Sequence, residues 1–266
     1  MAFMLDPAAA AAGYRIEVHD TLGSTSTQAM ARARAGETGP LWVVTHHQTG
    51  GRGRRGRGWA SVRGNHAASL LWPVPPGTGP ERVATLGFVA GLALERALRR
   101  ACGPAPDGTG PDFRLKWPND VLLGGAKLAG ILLEMETLPG RGPVVVAGFG
   151  VNVAAAPDGL PYATTSLAGA GQAVDAPGLF RLLTGTWLEA ERTWDGGRGF
   201  PRIREAWLAA AAGLGGPVTV RTGSQAVQGV FETIDEAGRL LVRRPDGSRH
   251  AVAAGDVHFG TAATAA

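Results

Sequence analysis

The chain has 266 residues, a formal net charge of +4 and one cysteine, Cys102. That length buries a core in one large domain, or in a large and a small one; the lone thiol excludes an internal disulfide and fits a reducing compartment. No apolar run reaches the roughly 20 residues of a membrane span, and Arg52, Arg54, Arg55 and Arg57 already account for the whole net charge, which disfavours a broad nucleic-acid-binding face.

Residues 1–13 are Ala-rich without a basic leader, so they are expected to form a disordered tail rather than an export signal, in a soluble cytoplasmic protein. Residues 14–19 alternate as a short edge strand. Ser24, Thr25, Ser26 and Thr27 are cap candidates for a helix that runs to Arg34 and stops at Gly36. Residues 41–45 form a buried strand that delivers the chain into Gly50–Trp59, and 67–72 form the next strand. Across 81–102, apolar residues at spacings of three and four predict the clearest helix of the chain. Residues 113–117 and 121–123 are strands, and Gly124-Gly125 turns the second into 126–136 as a hairpin. Residues 144–153 are too apolar to be half exposed. Helices are predicted over 177–194 and 200–212. Beyond 213–217, short alternating runs separated by turns predict a small barrel or sandwich over 217–260. The layout is α+β: a mixed or antiparallel sheet packed with helices over 14–213, then a small all-β unit.

Four stretches could carry chemistry. Gly51 to Gly58 alternates four glycines with four arginines and contains no acid, so the loop suits anions; unliganded, it is expected to repel itself and stay mobile. Gly51-x-Gly53-x-x-Gly56 matches a dinucleotide fingerprint as a string, but no helix follows it, and Arg57-Gly58 stand where a P-loop needs Lys and Ser or Thr. A single copy pinned between two strands reads as a lid over a pocket rather than as an RNA-binding tail. Lys116-Trp117-Pro118-Asn119-Asp120 is ordinary turn chemistry or a loop that aims polar tips at a nucleotide. Lys127 opens an apolar strand, either as a gatekeeper on a sheet edge or as a cation in a cavity, with Gly130 leaving room beside it. Gly148 and Gly150 clear a flat strip on one strand face, and Asn152 follows them. His46-His47 lack a spaced third ligand for a metal.

In this order and spacing, Gln48-x-x-Gly51-Arg52-Gly53-Arg54-Arg55-Gly56-Arg57-x-Trp59, Lys116 to Asp120, Lys127-Leu128-Ala129-Gly130-Ile131-Leu132-Leu133-Glu134 and Gly148-Phe149-Gly150-Val151-Asn152 resemble the biotin protein ligases. Ser24-Thr25-Ser26 is similar to that family's Ser-Thr-Asn, with Ser26 departing from the Asn, and Thr165-Ser166-Leu167 to a weaker signature. The resemblance implies a class II synthetase-like core with an SH3-like C-terminal barrel. It also implies an enzyme that joins biotin to ATP, with Mg²⁺ on the phosphates, as biotinyl-5′-adenylate. The biotinyl group then passes to a lysine of the biotin carboxyl carrier protein of acetyl-CoA carboxylase or a related carboxylase.

Carried over residue by residue, Ser24, Thr25, Ser26, Gln48, Arg52, Gly53, Arg54, Lys127 and Gly130 surround biotin. Arg54, Arg55, Arg57, Trp59, Asn119, Lys127 and Asn152 fall on the nucleotide side, and Arg54, Lys127 and Asp120 are the catalytic candidates. The resemblance leaves a homodimer open, since the family's dimers pair through sheet edges that periodicity does not identify. Only about a dozen residues precede Tyr14, so operator-DNA binding through a winged-helix domain is not expected. A lipoate ligase of the same superfamily and a basic RNA-binding module are the alternatives.

Overall fold

Near-continuous apolar runs give the central strands two dry faces, and that pattern organises the molecule. The computed structural model describes residues 2–75, 77–104, 110–223 and 225–259. In chain order these form helix α1 (Pro7–Ala11), β1 (Arg15–Leu22), α2 (Thr25–Arg34), β2 (Leu41–Gln48), β3 (Gly51–Arg52), β4 (Gly58–Trp59) and β5 (His66–Pro73). There follow α3 (Pro80–Ala84), α4 (Leu86–Cys102), β6 (Phe113–Lys116), β7 (Asp120–Leu123), β8 (Ala126–Leu138), β9 (Gly142–Val151), α5 (Ala176–Trp194) and α6 (Phe200–Ala209). The last strands are β10 (Pro217–Thr222), β11 (Gln225–Ile234), β12 (Leu240–Arg243), β13 (Arg249–Val252) and β14 (Asp256–Phe259).

Seven strands join in the order β1-β2-β5-β9-β8-β7-β6, mixed because β1 runs parallel to β2 while the other neighbours are antiparallel. Trp42, Val44, Leu70, Val145, Ala147 and Phe149 point to one face, where α4 and α5 bury them in the main core. Leu41, Val43, Leu71, Val144 and Val146 point to the other, under Ala29, Met30 and Ala33 of α2. The all-β unit is a five-stranded antiparallel sheet, β13-β12-β11-β10-β14. It leans on the core where the Trp117 indole donates to Gly238 O at 3.2 Å and Phe259 packs against Gly213. Among the described residues no helix is long and apolar enough to cross a membrane.

Two expectations give way. The N-terminal segment is not a loose tail: Asp6 accepts from Ala8 N at 2.8 Å and caps α1, its own N–H donates to Thr184 Oγ1 at 2.9 Å, and Phe3 is buried between the His46 and Phe180 rings. Composition hides this because the anchors, Phe3 and Asp6, are two residues in an alanine-rich run. The long helix over 81–102 divides at Thr85, whose hydroxyl bonds back to Arg82 O and accepts the Trp194 indole N–H at 2.7 Å, competing with helical continuity.

His66 is fully buried at the start of β5, and among the described residues neither ring nitrogen has a hydrogen-bond partner of good geometry. Burial, opposed in part by the Ala176 backbone, pushes its pKa down from 6.5 to about 4. The folded state therefore prefers the neutral ring, so stability falls as pH drops below the unfolded value and the loss levels off near the folded one. Unfolding at pH 7 and pH 5 should differ by about 2 kcal/mol from this group alone. His66→Phe should flatten that slope; an unchanged slope in the variant would assign the loss elsewhere.

Candidate active site

Helix α2 has only ten residues, so it covers part of its sheet face and leaves the rest bare. The bare part carries Gly148 and Gly150 of β9, Gly130 and Leu132 of β8 and Ser69 of β5, and these floor a cavity of about 930 Å³. Gly130 and Gly150 sit opposite each other in register. The Trp59 indole lies across both: a Cβ on Gly150 would stand 2.5 Å from it, and one on Gly130 3.1 Å. The strip cleared by the glycines is a seat for this aromatic ring.

At one end the floor turns polar. Gln48 Oε1 accepts from Thr25 N at 2.8 Å and Thr25 Oγ1 at 3.1 Å, Thr25 Oγ1 meets Ser69 Oγ at 2.8 Å, and Ser24 Oγ meets Ser26 Oγ at 3.1 Å. Ser24 also caps α2 by accepting from Thr27 N, so capping and cavity lining are one arrangement. Such a row of hydroxyls and an amide beside an apolar floor suits a small ligand with a polar head and an aliphatic body.

The Gly/Arg stretch forms the roof. β3 and β4 pair as a short hairpin, Gly51 opposite Trp59, and the tip turns through Arg55 at φ 56° and Gly56 at φ 73°. The unpaired, self-repelling loop read from the sequence is corrected: its acids come from elsewhere. Arg52 meets Glu134 at 2.9 Å, and Asp256 of the C-terminal sheet takes Arg57 at 2.9 Å and Arg55 at 3.2 Å. Arg54 is different. It is half-buried, its only hydrogen-bond partner among the described residues is the neutral Asn119 Oδ1 at 3.0 Å, and burial, then repulsion from Arg55, hold its pKa below an arginine's ordinary value against the pull of Asp256 and Asp120. Asn119 is fixed in turn by donating to Ile131 O at 2.8 Å.

Lys127 enters the cavity rather than guarding a free edge. Its Nζ is 2.8 Å from Asp120 Oδ1, an ion pair without aligned hydrogen-bond geometry, and lies 5.8 Å from the Trp59 ring and 5.5 Å from the Tyr162 ring. Its backbone is clamped: Lys127 N donates to Ala163 O at 2.8 Å, and Thr165 N to Lys127 O at 3.0 Å. Asn152 stands outside the cavity lining. It is buried, and its amide donates to Thr165 O at 3.1 Å, bracing the segment that holds Lys127.

Apart from Asn152, every candidate named from the sequence lines this one cavity: Ser24, Thr25, Ser26, Gln48, Arg52, Gly53, Arg54, Arg55, Arg57, Trp59, Asn119, Asp120, Lys127 and Gly130. The structure adds Ser69, Lys116, Tyr162, Arg221, Asp256 and His258. Ser69 left a signal, a lone hydroxyl in the apolar run 67–72. The last three come from a different sheet, and no local pattern pointed to them. Among the described residues lining the cavity, Arg52, Arg54, Arg55, Arg57, Lys116, Lys127 and Arg221 stand with two carboxylates, Asp120 and Asp256, and Arg52 pairs with Glu134 outside the lining; the excess of positive charge suits a polyanion.

The Biotin/lipoate A/B protein ligase family matches residues 21–152, and the Biotin protein ligase C terminal domain matches residues 213–260. A biotin--[acetyl-CoA-carboxylase] ligase of Paracoccus denitrificans is 44% identical over 246 residues, 89% of this chain and 97% of that protein. The chain belongs to the biotin protein ligase family. Another biotin--[acetyl-CoA-carboxylase] ligase, of Mycobacterium tuberculosis, is 35% identical over 93% of this chain and 90% of its own length. The biotin protein ligase of Aquifex aeolicus, solved with biotin and ATP, shares the fold with a TM-score of 0.76 at 22% identity, covering 92% of this chain and 99% of that one.

The donor set of this ligase does not fit a resident Mg²⁺. Among the described residues no three His, Cys, Asp or Glu side chains gather, and the two carboxylates lining the cavity are both ion-paired to cations. Any Mg²⁺ therefore belongs to the nucleotide and enters as part of the substrate.

Proposed function

We propose that this ligase joins biotin to ATP in the cavity beneath the arginine hairpin and then delivers the biotinyl group to a lysine of a biotin carboxyl carrier protein. The observation that supports this reading most directly is the juxtaposition of the Ser24–Ser26 and Gln48 polar pocket with the cations of the hairpin and Lys127. In the first step a carboxylate oxygen attacks the α-phosphorus, the bond to pyrophosphate breaks, and a mixed anhydride forms. Two anions must approach, so cations fixed around the meeting point lower the barrier without reorganising at that moment.

In this reading the ureido head of biotin takes the hydroxyl row, its aliphatic body lies over the sheet floor, and Lys127 and Arg54 meet at the carboxylate and α-phosphate. The adenine takes the Trp59 side. In the second step the ε-amine of the carrier lysine attacks the acyl carbon and AMP leaves. Asp120, freed when Lys127 turns to the phosphate, faces the incoming ammonium. The hairpin also shields an anhydride that water would hydrolyse.

The test is biotin-dependent exchange of labelled pyrophosphate into ATP, followed by mass spectrometry of a purified carrier domain. Exchange with biotin and a single biotinylated lysine are expected. Exchange with lipoate instead would move the chain to the other branch of the superfamily, and no exchange with either would overturn the reading.

A further inference from the structure

The chain that leaves the arginine hairpin forms no strand or helix until β5, yet one of its side chains is held by three hydrogen bonds. Residues 60–65 link Trp59 to β5, turning at Gly64 with φ 91° as Asn65 N donates to Val62 O at 3.0 Å. Asn65 is 2% exposed. Its Oδ1 accepts from Ala154 N at 2.8 Å and from Ala155 N at 3.1 Å, and its Nδ2 donates to Ala155 O at 2.8 Å. A donor and an acceptor on one short planar group are what a primary amide offers, and here they take both backbone groups of Ala155. The two segments also touch: a Cβ on Gly64 would stand 2.9 Å from Ala154 Cβ.

The ladder between β5 and β9 ends where His66 faces Val151, and beyond that pair the two chains lead to different walls of the cavity. On one side is Trp59, whose indole covers Gly130 and Gly150. On the other, residues 154–165 return to β8: Thr164 Oγ1 donates to Pro157 O at 2.8 Å, Lys127 N to Ala163 O at 2.8 Å and Thr165 N to Lys127 O at 3.0 Å. Among the described residues, every hydrogen bond between 60–65 and 154–165 is made by the Asn65 side chain. It supplies the missing rungs of the ladder at the point where the roof and the support of Lys127 diverge.

We infer that Asn65 is a positioning residue for adenylate formation: its amide joins the exit of the roof to the loop that holds Lys127, and so fixes the ammonium relative to the Trp59 ring, 5.8 Å away. The inference rests on the adenylation proposed above. Asn65 does not line the cavity and acts through the two backbones it joins. Slack in that joint leaves the pocket of Ser24, Thr25 and Gln48 in place, because none of these side chains bonds Asn65, and the one link from the pocket to 60–65, Gln48 N to Ser61 Oγ at 3.4 Å, is long. The signature is a slower reaction with biotin binding preserved.

Ala154 is exposed and Ala155 half-buried, so water can replace the lost bonds, and Asn65→Ala should fold with a melting temperature a few degrees lower. Its kcat for adenylate formation should fall about tenfold, the cost of a sub-ångström misplacement of the reacting groups, while the biotin KM stays within about twofold. Amide hydrogen exchange gives a readout independent of activity: exchange at Lys127 and at 163–165 should quicken, and exchange in α2 should not. Asn65→Asp keeps the acceptor for both N–H groups and loses the donor to Ala155 O, so it should fall between alanine and the parent. A parental kcat in Asn65→Ala with a lower melting temperature would make the joint merely structural and overturn the inference. So would a biotin KM that rises in step with the loss of kcat, or exchange that quickens equally in α2, since the whole cavity would then be loosened. If the alanine variant does not fold, the same criteria decide on Asn65→Asp. Pyrophosphate exchange in the parent protein is the control: its absence refutes the adenylation reading, whereas a parental rate in a folded variant refutes only the role of Asn65.

Discussion

Lys127→Met is expected to lower kcat/KM for biotinyl-adenylate formation by about 10²–10³-fold, a loss of roughly 3–4 kcal/mol of transition-state stabilisation, with the fold retained. Nζ is the cationic end of an otherwise apolar strand start, and its backbone is held on both sides by residues 163–165, so the charge stays in place without ligand. Removing it also leaves Asp120 without its ion-pair partner in a half-buried site, and that residual charge would itself repel phosphate. Lys127→Met with Asp120→Asn separates the two effects: partial recovery measures the repulsion, and what remains is the contribution of the ammonium.

Rapid-quench measurement of the adenylate gives the rate, and thermal unfolding checks the fold. Transfer from synthetic biotinyl-adenylate should suffer less than formation, because no second anion has to be brought in. Equal losses in both steps would place Lys127 at the acyl carbon, and formation rates within threefold of the parent would remove it from the chemistry.

How far the sequence reaches depends on whether a residue acts through its own strand or through a distant one. The continuous apolar runs at 41–45 and 144–153 specified strands buried on both faces, and the glycines at 148 and 150 specified a cleared strip; both are properties of a single strand. What fills the strip is Trp59, about ninety residues earlier, and periodicity carries no information about that contact. Asn152 is a different case. Its position in a motif pointed to the nucleotide; its Nδ2 donates to Thr165 O, a partner supplied by the next loop, while its buried Oδ1 has no hydrogen-bond partner among the described residues. The arginine loop looked unpaired because its acids, Glu134 and Asp256, lie far along the chain, the second in a different domain.

The dependence on Asp256 changes the physical picture of the roof. A loop with four arginines would remain open by self-repulsion, but two carboxylates on different elements fix its base and its tip. Surface ion pairs of this kind are individually weak, on the order of 0–1 kcal/mol, so the closed form is favoured without being locked. That is suitable for a flap that must admit two substrates and release pyrophosphate before a protein partner arrives.

Arg54→Ala is the second large loss, about 10²-fold in adenylate formation, and it should exceed that of Arg52→Ala, Arg55→Ala or Arg57→Ala. The argument is one of available charge. Arg52, Arg55 and Arg57 each form an ion pair with a carboxylate, whereas Arg54 forms none among the described residues and bonds an amide oxygen at 3.0 Å. Its half-buried position weakens solvent screening, so its full charge acts on whatever enters. Arg54→Lys restores charge without the planar fork and should recover only part of the rate. Asn119→Ala, which removes the partner but keeps the arginine, should cost much less than Arg54→Ala. A second readout follows from the roof: without carrier protein, Arg54→Ala should release and hydrolyse more of the adenylate it makes, seen as biotin-dependent AMP formation per adenylate formed. If all four alanine variants lose activity equally, the hairpin acts as a diffuse positive field, and Arg54 has no separate role at the reacting phosphate.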